Sequence, residues 1–217
     1  MNQEQLEALR NDYSESGIDP DTLPADPVDF FNIWFKQAVD AGIPEPNGMV
    51  IATADALENL SQRTVLMKSF DQHGFFFYTN YSSRKAIHLQ RNPTVSCLFP
   101  WLALHRQVAI TGRVSRASSE NTERYFKSRP RGSQIGAWAS RQSERLEGRN
   151  TLEQRVREIE GRFKGGEVPV PEFWGGYHVN PSRIEFWQGR TSRLHDRYVY
   201  TRDNDDSGTW LLESLYP

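Results

Sequence analysis

Apolar and polar positions alternate with two different periods along this chain, and the changes of period mark its elements. Asp26-Pro27 reads as a helix N-cap followed by proline at the first helical position. Phe30, Phe31, Trp34, Phe35, Ala38 and Val39 then share one helical face, and Gly42 supplies a stop. Period two takes over after that. Met49–Ala54, Gln62–Phe70, Phe75–Thr79, Thr94–Pro100 and Arg106–Arg116 all read as strands. Asp71-Gln72-His73-Gly74 is a turn that makes 62–79 a β-hairpin. In the 106–116 strand Val108, Ile110 and Gly112 lie on one face, with Gln107, Ala109, Thr111 and Arg113 on the other.

Helical stretches punctuate the strands. Ser82 or Ser83 caps a short helix through Gln90, ended by Asn92-Pro93. Ser118 or Ser119 starts another, with Tyr125 and Phe126 near its end and Pro130 as its stop. Ser133–Trp138 reads as a helical turn. Thr151-Leu-Glu-Gln154 is a capping box for a helix through Phe163, closed by Gly165-Gly166. Val168–Glu172 is extended, and Trp174–Val179, Ile184–Gln188, Leu194–Arg202 and Thr209–Ser214 return to strand. Residues 1–25 are polar and read as a mobile N-terminal arm ahead of one domain over 26–217. Many short strands with few helices between them predict a mainly β fold with peripheral helices, a barrel of α+β class, rather than a doubly wound parallel sheet.

Composition narrows the setting. The 217 residues suffice for one domain with a sizeable core. No apolar run approaches the ~20 residues needed to span a bilayer, and no basic segment followed by an apolar core marks a secretory leader. The single cysteine, Cys97, excludes an intrachain disulfide, so a cytoplasmic location is expected. A net charge of −2 gives no support for nucleic-acid binding. Yet Arg124, Lys127, Arg129, Arg131 and Arg141 fall within one stretch that holds no acidic residue. That stretch fits either a solvated basic face or a site for a small anion such as a phosphate monoester.

Three constellations could carry chemistry. Arg63 and Lys68 stand five apart on a predicted strand and so project to opposite faces, while Arg84 and Lys85 open a helix whose N–H groups also favour an anion; this is a phosphate cup or a solvated basic pair. Tyr125 and Arg129 are an i,i+4 pair with Ser133 just past the proline; this is a phosphate site or a helix end with favourable cations. Arg193, His195 and Arg197 share one strand face at period two, where three cations need something anionic or electron-rich above them. The histidines show no metal-ligand spacing, so no metal site is expected. Glycine-rich phosphate loops and nucleophile-elbow glycines are absent.

The run Glu185-Phe-Trp-Gln-Gly-Arg-Thr-Ser-Arg-Leu-His-Asp-Arg197 resembles the C-terminal signature of the pyridoxine 5′-phosphate oxidase family. Phe99-Pro-Trp101 with Arg106-Gln107, Ser128–Trp138 and Pro171–Gly176 resemble further blocks of it. The resemblance implies an FMN-binding split β-barrel that forms a homodimer with FMN at the subunit interface. It assigns FMN to Arg63, Thr64, Val65, Leu66, Met67, Lys68, Tyr78, Thr79, Arg84, Lys85 and Gln107. Gln142, Ser143, Trp187 and Arg197 are assigned to FMN from the partner subunit. It assigns the substrate phosphate to Lys68, Tyr125, Arg129 and Ser133, and the pyridine ring and its chemistry to Arg193, Leu194 and His195. Arg10 and Tyr13 match an arm motif that closes over the site. The implied reaction is oxidation of pyridoxine or pyridoxamine 5′-phosphate to pyridoxal 5′-phosphate, with O₂ reduced to H₂O₂. The alternatives are a split-barrel reductase of another substrate and a non-catalytic pyridoxal phosphate binder. One departure is local: Asp55–Leu60 lacks the Gly-x-Pro hairpin usual in relatives.

Overall fold

The computed structural model describes residues 2–7, 13, 17–202 and 208–217; the expectation for Arg10 lies outside them. Helices are α1 (Gln3–Glu7), α2 (Pro27–Asp40), α3 (Arg84–Arg91), α4 (Ser119–Ser128), α5 (Arg131–Ala139) and α6 (Arg149–Arg162). Strands are β1 (Gly48–Ala54), β2 (Leu60–Leu66), β3 (Ser69–Asp71), β4 (Gly74–Asn80), β5 (Thr94–Trp101), β6 (Arg106–Arg116), β7 (Trp174–Gln188), β8 (Asp196–Arg202) and β9 (Trp210–Ser214). They form one sheet in the order β2-β1-β5-β6-β7-β4-β3, with β8 on β7 and β9 on β8. The two ends of that order, β2 and β3, are joined in sequence by only Met67 and Lys68. Lys68 N donates to Phe76 O at 2.8 Å. A sheet whose ends are tied in this way curls into a barrel.

The predicted strand 62–70 is therefore two strands, and the hairpin is β3–β4 alone, paired Ser69↔Phe76 to Asp71↔Gly74. The predicted strands 174–179 and 184–188 are instead one. β7 pairs β4 as far as Val179 and β8 from Arg183, so Pro181, which has no N–H to offer, falls between the two ladders. Beside it Gly112 is required, because a Cβ there would stand 2.2 Å from Asn180 O. The Asp55–Leu60 connection is held by its own aspartate, whose carboxylate accepts from Leu57 N at 2.8 Å and Asn59 N at 2.9 Å. Asn59 is the main reason the Asp55 carboxyl sits below its usual range.

Helix ends follow their caps. Asp26 accepts from Val28 N at 2.8 Å, and Pro27 begins α2. Val39 is exposed, not part of the buried face; at ~100° per residue it lies about 80° round the helix from Phe31. α6 starts at Arg149, capped by Gly148, so Thr151 is inside the helix and no capping box forms.

The chain packs into two compact units. The first comprises Met1–Val50, Cys97–Thr111 and Ser182–Pro217, the second Ile51–Ser96 and Gly112–Pro181. In the first, α2 lays Phe30, Phe31 and Trp34 on the sheet, with ring centroids 4.3 Å for Phe30–Phe186 and 5.0 Å for Phe31–Phe99. In the second, Ile51, Phe75, Phe77, Val95 and Val179 are almost fully buried. Phe126, Ile135, Val168 and Trp174 make a smaller cluster where α4 and α5 cover the strands. Each such aromatic or aliphatic side chain stabilises its unit by about 1.5–3 kcal/mol through area removed from water.

Candidate active site

The second unit contains a cavity of about 730 Å³. Its charged lining residues, among those described, are Arg63, Lys68, Arg84, Lys85 and Arg129, with no carboxylate. Five cations around one cavity repel each other, an arrangement suited to an anionic ligand.

One end of the cavity is built from β2, β4 and α3. Lys85 is buried and its Nζ meets only neutral oxygens: Thr79 Oγ1 at 3.1 Å, Gln142 Oε1 at 3.2 Å and Ser83 Oγ at 3.4 Å. Burial, reinforced by Arg63, brings its ammonium down to about 8. Arg63 donates to Ser61 Oγ and Thr53 Oγ1, each at 2.8 Å. Its guanidinium is also depressed, first by burial and then by Arg84. Ser143, in a left-handed turn (φ 77°), accepts from Arg84 N at 3.2 Å.

The other end is aromatic and carries Arg129. Tyr78, Tyr125 and Trp174 stack, with centroids 4.1 Å for Tyr78–Tyr125 and 5.6 Å for Tyr78–Trp174. The Arg129 guanidinium lies 4.8 Å from the Trp174 ring centroid, and its Nη1 is buried with no hydrogen-bond partner. Burial lowers Arg129 further, yet a guanidinium does not lose its proton in a protein. A buried donor that keeps its charge and lacks a partner is a place for an anionic oxygen. Ser133, on α5, lines the same cavity.

The first unit holds a second set. Gln107, Glu185, Trp187 and Arg197 line a cavity of about 290 Å³. Trp187 and Arg197 are cross-strand partners on β7 and β8. Arg197 Nε donates to Glu185 Oε1 at 2.8 Å, and Arg183 Nη2 donates to Glu185 Oε2 at 2.7 Å. Burial opposes ionisation of Glu185, but these two guanidinium bonds outweigh it and its carboxyl sits below its usual range. His195 packs on Trp187 at 4.6 Å, and its Nδ1 accepts from Arg190 N at 3.0 Å. That bond leaves the ring proton on Nε2. Burial, then Arg193, pushes the imidazole below its usual value. Tyr13 stands 4.5 Å from His105 and 5.6 Å from His195, with the Arg193 guanidinium 5.7 Å from its centroid.

The structure thus divides the expected residues. Arg63, Thr64, Val65, Leu66, Lys68, Tyr78, Thr79, Arg84, Lys85, Tyr125, Arg129, Ser133, Gln142 and Ser143 line one cavity. Four expectations change. Arg63 and Lys68 do not face opposite ways, because the strand ends at Leu66 and Lys68 lies in the bend beyond it. Met67 is buried, away from the cavity lining. Gln142 and Ser143 reach Lys85 and Arg84 of their own chain. Neither Arg193 nor His195 is on a strand: Arg193 sits in the 191–193 turn at φ 62° and β8 begins only at Asp196, so the two share no strand face with Arg197. Leu194 is exposed. Residues the sequence did not single out also line the large cavity, Ser61 and Trp174 among them. Ser61 was findable, since period two puts it on the Arg63 face.

A split-barrel topology thus holds a cavity whose charged lining, among the described residues, is cationic, as suits an anionic ligand. Residues 35–163 match the family model for pyridoxamine 5′-phosphate oxidase, and residues 174–217 match the model for the pyridoxine 5′-phosphate oxidase C-terminal dimerisation region. The chain belongs to the pyridoxamine 5′-phosphate oxidase family. It is 52% identical over 212 residues to a pyridoxine/pyridoxamine 5′-phosphate oxidase of Rubrobacter xylanophilus, covering 98% of this chain and 96% of that one. The enzyme of the same name from Crocosphaera subtropica is 50% identical, over 98% and 99%. Among solved structures, PhzG from Burkholderia lata in complex with tetrahydrophenazine-1-carboxylic acid superposes with TM-score 0.87 at 28% identity, covering 94% of this chain and 100% of that one.

Proposed function

We propose that this chain is an FMN-dependent oxidase, active as a homodimer, that converts pyridoxine 5′-phosphate or pyridoxamine 5′-phosphate to pyridoxal 5′-phosphate while O₂ becomes H₂O₂. The observation that carries the reading is the large cavity, with cationic groups at both ends and no carboxylate among its described lining residues. Two phosphorylated molecules, cofactor and substrate, match two cationic ends. Arg63, Arg84 and Lys85, with Thr79, Gln142 and Ser143, suit the FMN phosphate. The charges of Arg63 and Lys85 meet neutral oxygens and so stay available to an anion. Arg129, with Lys68, Tyr125 and Ser133, suits the substrate phosphate, and the unpartnered Nη1 gives that oxygen a defined place. Bound FMN supplies the hydride acceptor and the centre at which O₂ is reduced.

The remaining residues hold and orient. Two phosphate anchors set the register of the substrate ring, which is worth more to the rate than affinity alone. Gln107 is assigned to the flavin ring, and Trp187 and Arg197 to FMN of the neighbouring subunit. The match of residues 174–217 to a dimerisation region supports that placement. Arg193 and His195 are assigned to the substrate's reacting end, where Arg193 favours developing negative charge. With Nδ1 occupied by Arg190 N–H, His195 offers an Nε2–H donor, which fits orienting the substrate oxygen or nitrogen rather than removing its proton. Tyr13 is assigned to cover the site. A cytoplasmic location is part of the reading, and the one cysteine, Cys97, is a buried thiol pushed up to about 12.

The test is anaerobic. Purified protein carrying FMN should lose its visible flavin absorbance when pyridoxine 5′-phosphate is added, and regain it in air with equal amounts of pyridoxal 5′-phosphate and H₂O₂. Binding without bleaching would make the protein a carrier of the phosphorylated vitamin instead.

A further inference from the structure

Arg63 is held by a small polar relay behind the cavity. Its Nη1 donates to Thr53 Oγ1 at 2.8 Å and lies 3.5 Å from Ile51 O, and its Nη2 donates to Ser61 Oγ at 2.8 Å. Thr53 lies on β1 and is 1% exposed. Its hydroxyl in turn meets Nδ1 of His88 at 3.3 Å. His88 is on α3, the helix that also carries Arg84 and Lys85, and is 5% exposed. Neither Thr53 nor His88 lines the cavity.

The chemistry of this relay is directional. A guanidinium only donates, so the Thr53 oxygen accepts from Arg63 and its own hydrogen needs an acceptor. His88 Nδ1 lies 3.3 Å from that hydroxyl and 3.4 Å from Thr53 O; without a proton it accepts from the hydroxyl, and with one it donates to Thr53, so either tautomer ties Thr53 to α3. An arginine is ordinarily fixed by a carboxylate, which would cancel its charge. Here both side-chain groups that fix it are hydroxyls, which orient the fork without neutralising it.

We propose that Thr53, itself fixed by His88, is a positioning residue that aims the Arg63 guanidinium at the phosphate of FMN. The inference rests on the reading of Arg63 as a phosphate ligand. It predicts that the relay matters for the phosphate and not for the flavin ring.

Riboflavin, which lacks the phosphate, separates the two. Flavin-free full-length protein would be titrated with FMN and with riboflavin, following quenching of flavin fluorescence. Arg63→Ala should abolish most of the preference for FMN; an unchanged preference would sink the phosphate reading and the relay with it. Given that loss, Thr53→Val should weaken FMN about tenfold, leave riboflavin within about twofold, and add nothing in the Arg63→Ala background. Thr53→Ser should bind FMN like the parent. His88→Leu, which removes the imidazole bond to Thr53 while leaving Thr53 in place, should lower the FMN preference about threefold and serves if Thr53→Val does not fold. Equal weakening of both flavins by Thr53→Val or His88→Leu, or no weakening of FMN by either, overturns the proposal.

Discussion

Replacing Arg129 by methionine separates a binding role from a structural one. The side chain is half-buried, its guanidinium lies over Trp174 at 4.8 Å, and Nη1 has no partner. In the free protein the substitution removes a cation–π contact worth about 0.5–2 kcal/mol. It also relieves a buried donor whose unmet hydrogen bond costs about 1–3 kcal/mol, and methionine retains most of the packing against Trp174. The two contributions nearly cancel, so Tm should move by no more than about 5 °C for a chain of this size. With substrate bound the balance is different. Losing a buried, charge-assisted contact to phosphate removes about 2–5 kcal/mol, which is about 30- to 4,000-fold in affinity. Steady-state assays of the FMN-loaded variant should therefore show KM for pyridoxine 5′-phosphate raised at least about thirtyfold. FMN affinity should be unaltered. A KM within about threefold of the parent together with a Tm fall above about 10 °C would refute the reasoning and make Arg129 a structural residue.

Lys85 gives a pH prediction of definite sign. Its folded value of about 8 lies below the ordinary 10.5, so the flavin-free protein gains stability from this group as pH rises through that interval. FMN phosphate favours the charged form, so FMN affinity should fall as pH rises above about 8, and Lys85→Met should remove that dependence in a titration series. Glu185→Gln should lower stability at neutral pH by about 1–3 kcal/mol, because Arg183 and Arg197 lose their charged acceptor. As the carboxyl of Glu185 sits below its ordinary 4.5, the gap to the parent should shrink as pH falls past that value in denaturant melts. Gly112→Ala should destabilise by more than about 2 kcal/mol, since its Cβ would meet Asn180 O at 2.2 Å; a Tm within about 2 °C of the parent would contradict the close approach.

Local signals in the sequence were informative where the chemistry is local. The Asp26-Pro27 cap, β6 over Arg106–Arg116 and the α4 stop before Pro130 all follow from neighbouring residues. Where tertiary pairing decides, the sequence was silent. Nothing local shows that the strand-like stretch 62–70 must bend at Met67 so that β2 and β3 end on opposite sides of the strand order. Pro181 argues locally for a break, and only the change of partner from β4 to β8 explains why the strand runs through it. The same limit applies to the site. The arginines and lysines were visible as motifs, but that bend is what turns Lys68 into the cavity with Arg63. The 191–193 turn, with two residues at positive φ, breaks the period-two reading of Arg193, His195 and Arg197.

A crystal structure of the protein soaked with FMN and pyridoxal 5′-phosphate would test the account most directly. It should show both phosphoryl groups in the same cavity, one within hydrogen-bonding distance of Arg63 and Lys85 and the other of Arg129 and Ser133. A phosphoryl group found elsewhere, with either cationic end of the cavity left to solvent, would contradict it.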